Sequence, residues 1–250
     1  MKRSFWLVLT ALMVASLLLP ACGPAGEKVY TVAVDATWPP FEYVDETTQE
    51  IIGFDVDMMK AIAENQGLQI EFVNVPWDSL LAGMAQCQYD LSASAMTITE
   101  ERLQSFSFSE PYFAAGQIVT VQASNTDINS KDDLVGKTIG VQLGTTGDIE
   151  AQAIEGATVK NYDDIGLAFQ DLLNGQIDAV IADNPLALGY VGQNPDLLKV
   201  VGDAFTDEYY GIAVCKTDTE LLDKINAGLE AVKAQGLIDE LTQTWIMGGQ

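Results

Sequence analysis

Gly53-Phe54-Asp55-Val56-Asp57-Met58 opens a stretch running to Gln66, with apolar residues at Phe54, Met58, Ile62 and Ala63. That spacing is close to the 3.6-residue period of a helix burying one face. Upstream, Tyr30–Val34 is a β-rich run that ends at Asp35, and Trp38-Pro39-Pro40-Phe41 then breaks it. Downstream, Gln69–Val73 reads as a strand, Ser79–Ala85 as a helix and Leu91–Met96 as a strand. Thr99 has the character of a helix cap, with Glu100 and Glu101 in the first turn, where acids are favourable. This βαβαβ alternation predicts a parallel sheet covered by helices.

A second series follows. Gln117–Gln122, Lys137–Val141, Ala157–Tyr162 and Ala179–Ile181 read as strands. Gly144-Thr145-Thr146-Gly147 closes the second of these into a short helix, and Ile165–Leu173 is a longer one. Tyr209–Val214 then reads as a strand, and Glu220–Gln235 and Leu237–Trp245 as helices. No Gly/Ser-rich linker separates the two series, as expected of a chain that passes between lobes as paired strands.

The amino terminus sets the compartment. Lys2 and Arg3 precede an apolar run from Phe5 to Leu19, and Leu19-Pro20-Ala21-Cys22 ends it. This is the secretory pattern, and the run of about 15 residues is short of the ~20 that span a membrane. Leu-Pro-Ala-Cys resembles a bacterial lipobox. The resemblance implies a signal peptide over 1–22, lipidation at Cys22 and a tether over 23–27; plain secretion is the alternative. The working protein is then extracytoplasmic and lipid-anchored, meeting the membrane through that anchor only. Roughly 230 residues remain, enough for one large domain or two smaller ones.

Composition narrows the function. With 48% apolar and 19% charged residues, the chain can bury a core. Its net charge of −24 repels phosphate backbones and excludes a nucleic-acid partner. Histidine is absent, which removes Ser-His-Asp and Cys-His nucleophile systems and imidazole metal sites. Of the three cysteines, Cys22 belongs to the anchor, leaving Cys87 and Cys215 as a pair in an oxidising compartment. No metal or cofactor motif survives inspection. Gly136-Lys137-Thr138 has Lys131 where a phosphate loop needs glycine. Asn125, Asp127 and Asn129 have calcium-loop spacing, but Ser130 replaces the turn glycine and Gly136 the terminal glutamate.

The remaining motifs form one set. Asp35-Ala36-Thr37-Trp38-Pro39-Pro40-Phe41, Gly53-Phe54-Asp55-Val56-Asp57-Met58 and Thr97-Ile98-Thr99-Glu100-Glu101-Arg102 come first. Phe108-Ser109-Glu110-Pro111-Tyr112, Val141-Gln142-Leu143-Gly144-Thr145-Thr146-Gly147 and Asp178-Ala179-Val180-Ile181-Ala182-Asp183 follow. In this order they resemble the family 3 extracellular solute-binding proteins, the amino-acid receptors of ABC importers. The resemblance implies an α/β fold of two lobes with discontinuous connectivity. Two crossing strands, Gln117–Val121 and the segment before Tyr209, would join the lobes, with the ligand cleft between them. Lobe one would take 28–114 and 209–250, lobe two 115–208. The partners would be a free L-amino acid and a transmembrane permease, and the receptor a monomer. In this fold the strands near Cys87 and Cys215 run antiparallel and adjacent, so the two would form a disulfide.

The residue types suit such a ligand. An α-amino acid carries a carboxylate and an ammonium, and burying either is expensive unless it is paired. Arg102 offers a planar fork for the carboxylate. The resemblance places it there with the backbone N–H groups of Thr97 and Thr146, and places Asp183 on the ammonium. The plain alternatives are a solvated helix arginine beside Glu101 and an Asx-turn carboxylate before Asn184-Pro185. Asp35, Trp38 and Trp77 are the side-chain pocket candidates, the indoles flanking a cation by cation–π attraction or else simply packing in the core. Ser94, Ala95, Thr97 and Thr145 line the wall. Gln142 stands where some glutamine-binding relatives carry lysine, which leaves Asp35 free to face a cation. Arginine or lysine is the expected ligand, with glutamine or histidine the alternative. A dehydratase on the same fold is the enzyme alternative; without histidine its acid would be a carboxylate, and none stands out in the sequence.

Overall fold

The computed structural model describes residues 28–248, so the signal segment, Cys22 and the tether lie outside the described residues. Two five-stranded sheets form two lobes. In the first, Gln69–Asn74, Val29–Val34 and Leu91–Ser92 are parallel, and Ala213–Val214 runs antiparallel between Leu91–Ser92 and Ser107–Phe108. In the second, Thr158–Tyr162, Thr138–Gln142 and Ala179–Asp183 are parallel, followed by antiparallel Gln117–Gln122 and Leu198–Val201.

The helix Phe54–Gln66 buries Phe54, Met58, Ile62 and Ala63 as its spacing predicts, together with Asp55, Val56 and Met59. It starts at Gly53, whose φ is 136° and whose place a side chain could not take: a Cβ there would lie 2.2 Å from the Phe41 carbonyl oxygen. This helix packs on Thr219–Ala234, where Gly228 allows close approach to Ile62.

Several expectations need correction. Gln117–Val121 is not a crossing strand but part of the second sheet's interior, buried from Gln117 to Val121. The crossing pair is Phe113–Ala115 with Glu208–Tyr210. Tyr209–Val214 is not one strand. Glu208–Tyr210 serves the crossing pair and Ala213–Val214 the first sheet, with a break at Gly211, whose N–H bonds the Met96 carbonyl at 3.1 Å. The strand expected over Leu91–Met96 stops at Ser92, because Ala95 turns to φ 42° and gives its N–H to the Asp55 carboxylate at 2.7 Å. The helix Asn184–Gln193 was not among the expected elements; its Pro185 sits in the first turn, where proline lacks only a donor the helix does not use.

Cys87 and Cys215 are joined as a disulfide with Cα atoms 5.1 Å apart, within bonding range. The bond sits where Val214 pairs with Leu91 across antiparallel strands, and it closes a sequence separation of 128 residues. A loop of that length removes much unfolded-chain entropy. Cys87→Ser/Cys215→Ser should therefore lose about 2–5 kcal/mol of stability, a fall of roughly 5–15 °C in melting temperature. Calorimetry of the oxidised wild type against the double variant checks this, and equal melting temperatures would contradict it.

Candidate functional site

Both sheets deliver their polar residues at the carboxyl ends of parallel strands, where open α/β sheets bind ligands. Asp35 follows Val29–Val34, and Ser94, Ala95 and Thr97 follow Leu91–Ser92. Trp77 opens the helix Trp77–Ala85, and Arg102 lies in Glu100–Ser105, capped by the Thr99 hydroxyl. From the other lobe, Gln142 ends Thr138–Gln142, Asp183 ends Ala179–Asp183, and Thr145 caps the helix Thr146–Gln152. Every one of these, with Trp38, lines a single cavity enclosing about 300 Å³, at the small end of ligand clefts.

Arg102 is not a solvated helix arginine. Its Nη1 donates to the Thr97 carbonyl at 2.8 Å, its Nη2 to the Gly144 carbonyl of the opposite lobe at 3.2 Å, and its guanidinium lies 5.2 Å from the Trp77 ring centroid. Burial lowers its pKa to about 10, against the pull of Asp183 and Glu208. Asp183 is not an Asx-turn carboxylate either; it makes no cap bond and instead accepts from the Gln117 amide and the Tyr210 hydroxyl. Burial, then Glu208, raises its pKa to about 7.

Asp35 is not free. Gln142 Nε2 donates to its Oδ2 across the cleft at 2.8 Å and Thr37 to its Oδ1 at 2.9 Å, yet burial still raises its pKa to about 6. An uncharged amide at Gln142 therefore occupies Asp35 rather than merely sparing it, because a buried carboxylate binds whatever donor is in reach. Trp38 and Trp77 are buried, and both face the cavity. Arg102 lies over the Trp77 ring, so that indole already carries one cation–π contact. The Thr97 and Thr146 hydroxyls both donate to Glu208.

One lining residue is absent from the sequence reading. Glu42 is 0% exposed, its Oε1 accepts from Ser94 at 2.8 Å, and burial with Asp55 nearby raises its pKa well above the usual range. The one local signal was a lone acid inside the run Pro40-Phe41-Glu42-Tyr43-Val44. Glu42 Oε2, Gln142 Oε1 and the indole nitrogens of Trp38 and Trp77 are buried without a protein partner. The cavity thus holds one guanidinium, three carboxyl groups, and unpaired polar atoms that a ligand can engage.

Known proteins are similar to this chain in sequence and in fold. Residues 30–248 match the model of the bacterial extracellular solute-binding proteins, family 3. A probable histidine-binding protein of Neisseria gonorrhoeae is 35% identical, over 100% of this chain and 99% of its own. The ABC transporter arginine-binding protein 1 of Escherichia coli K12 is 37% identical, over 96% and 98%. A solved structure of an ancestral arginine-binding protein bound to arginine superposes with a TM-score of 0.83 at 42% identity, covering 87% of this chain and 97% of that one. With this match over nearly all the described residues, the chain belongs to the family 3 bacterial extracellular solute-binding proteins.

Proposed function

We propose that this chain is the extracytoplasmic receptor of an ABC importer that captures a basic L-amino acid, arginine or lysine first, by closing two lobes over it. The observation that carries the reading is the charge balance of the cavity. Arg102 supplies one cation, Asp35 and Asp183 supply two carboxyl groups whose pKa values of about 6 and about 7 let a cationic ligand ionise them, and burial favours the neutral form of Glu42. A ligand with one carboxylate and two cationic groups balances this set. A zwitterion such as glutamine leaves one buried carboxylate without a counter-charge, which is costly.

In this reading Arg102 pairs with the α-carboxylate, joined by backbone N–H groups of Thr97 and Thr146, and Asp183 receives the α-ammonium. The side chain runs past the cavity-lining Trp38 and Trp77 toward Asp35 and Glu42. Glutamine or histidine is the second reading, favoured by the Gln142–Asp35 bond, which already satisfies Asp35 in part. The proposal is binding without catalysis, supported by the match to a family of solute-binding proteins and by relatives named as transporter binding proteins. The lobes divide at about 114–115 and 208–209, the receptor is a monomer, and lipidated Cys22 with the tether holds it to the membrane beside its permease.

Arg102→Ala should abolish binding of every amino acid. Removing the partner of a buried charge costs about 3–5 kcal/mol, a loss on the order of a hundredfold to several thousandfold. Near-normal affinity in calorimetry would remove Arg102 from the site. Asp35→Asn should weaken arginine and lysine much more than glutamine, because only a cation gains from the carboxylate. An equal loss for both would make Asp35 a structural residue, and a wild type that bound glutamine but not arginine would overturn the basic-ligand reading.

The raised carboxylates also fix a pH dependence. Between about pH 4 and 7 the folded, ligand-free protein keeps protons on Asp35 and Asp183 that the unfolded chain has released. These groups thus stabilise the fold at low pH, and that contribution is lost as pH rises through about 6 and 7. A basic ligand needs both ionised, so arginine affinity should rise from pH 5 to pH 8, with protons released on binding near pH 6. Calorimetry in two buffers of different ionisation enthalpy measures that release; a flat profile would exclude these carboxylates as cation partners.

A further inference from the structure

Glu208 lies in the strand Glu208–Tyr210, half of the antiparallel pair through which the chain crosses between the sheets. It was not among the residues read from the sequence, and it does not line the ligand cavity. One of its oxygens nevertheless collects hydroxyls from both lobes. Oε2 accepts from Thr97 Oγ1 at 2.8 Å, beyond the first-sheet strand Leu91–Ser92. The same oxygen accepts from Thr146 Oγ1 at 2.7 Å, at the start of the second-lobe helix Thr146–Gln152. Gln117 Nε2 adds a longer contact at 3.4 Å. Oε1 accepts from Thr206 Oγ1 at 2.7 Å, and that hydroxyl accepts the Gln117 N–H at 2.7 Å.

Two further observations give this arrangement a role. Thr97 and Thr146 line the ligand cavity on one side and an outer cleft on the other, and Glu208 lines only the outer cleft. The threonines are therefore a shared wall, and Glu208 stands behind it. Among the described residues no lysine or arginine forms an ion pair with Glu208. A carboxylate only 8% exposed is thus held by neutral donors, two of them from opposite lobes. Hydrogen bonds to a charged acceptor are about twice as strong as neutral ones, but both reach one oxygen only when the lobes are together.

We propose that Glu208 is the closure latch: a positioning residue whose carboxylate, already beside Thr97 through the backbone pairing of Thr97 with Tyr210, captures the Thr146 hydroxyl as the lobes meet and so sets how long a ligand stays enclosed. The proposal rests on the closing-receptor reading above. The latch makes bonds in the closed state that the open state lacks, which is what a shift in that equilibrium requires. Its effect therefore falls on ligand release more than on capture.

Stopped-flow fluorescence of the cleft tryptophans with L-arginine tests it. In Glu208→Gln a neutral amide replaces the charged acceptor at the same size. Dissociation should quicken roughly tenfold to a hundredfold, with association changed by no more than about twofold. Thr146→Val removes the second-lobe hydroxyl and keeps the backbone N–H, and should act in the same direction. The double variant should release ligand no faster than the faster single one, because both changes break one device. Accelerations that multiply would overturn the latch. So would unchanged release from Glu208→Gln with a lowered melting temperature, the mark of a structural residue. Small-angle scattering of the ligand-free proteins gives an arm that needs no ligand. Glu208→Gln should be larger than wild type, and identical profiles would overturn the latch. Should the wild type bind none of the twenty amino acids, the receptor reading fails while the scattering still decides the latch.

Discussion

The carboxylate of Asp55, sealed under the first turn of the helix Phe54–Gln66, ties three segments together. Its Oδ2 accepts the Ala95 N–H at 2.7 Å and the Tyr112 hydroxyl at 2.6 Å. Ala95 stands at φ 42°, a conformation that costs a side-chain-bearing residue on the order of 1–3 kcal/mol and persists only where surroundings impose it. The bond to Asp55 is that imposition. It ends the first-sheet strand at Ser92 and turns Ser94, Ala95 and Thr97 along the cavity wall. Tyr112, held by the same oxygen, immediately precedes the crossing strand Phe113–Ala115, so pocket floor and crossing point share one anchor. Full burial raises Asp55 to about pKa 7, a sign that this geometry is kept at an electrostatic cost.

The same trade runs through the cavity. Asp35, Glu42 and Asp183 are nearly or fully buried, and burial is the first cause of each raised pKa. A protein selected for stability alone would fill such a space with apolar side chains. These carboxylates instead make internal bonds to Gln142, Ser94, Gln117 and Tyr210, each through a neutral donor. Neutral donors satisfy a carboxylate without cancelling its charge. The site therefore keeps an unspent attraction for cations while remaining compatible with the fold.

Sequence carried the lobes and most of the cleft for a physical reason. Helical and strand periods are local, and residues at the carboxyl ends of parallel strands are brought together by topology rather than by detail. Asp35, Gln142 and Asp183 sit at such ends, and the resemblance to the family 3 solute-binding proteins, carried by motifs at those ends, is what singled them out. Glu42 escaped because its burial depends on Phe41 and Phe54 packing around the small sheet Glu42–Val44, which no local pattern encodes. Glu208 escaped although the segment before Tyr209 was read as a crossing strand, because no local pattern shows which residue of that strand gathers hydroxyls from both lobes. The split of Tyr209–Val214 at Gly211 was equally hidden: both halves are β-rich, and only the tertiary pairing gives one half to the crossing pair and the other to the first sheet.

Closure in this molecule is an exchange of bonds more than an addition of them. Gln142 already bonds Asp35 across the cleft, and Arg102 already reaches the Gly144 carbonyl. In the proposed receptor, an amino acid entering between them would take over partners that the lobes offer each other. The free energy it gains is then the difference between its charged groups and the neutral donors it displaces. That difference is large for a cation meeting Asp35 and for a carboxylate meeting Arg102, and small for a neutral side chain. A ligand shifts the open-to-closed ratio only by its differential affinity, so this exchange makes closure itself selective for charge. Specificity here resides less in the shape of the pocket than in which bonds the two lobes give up to close over it.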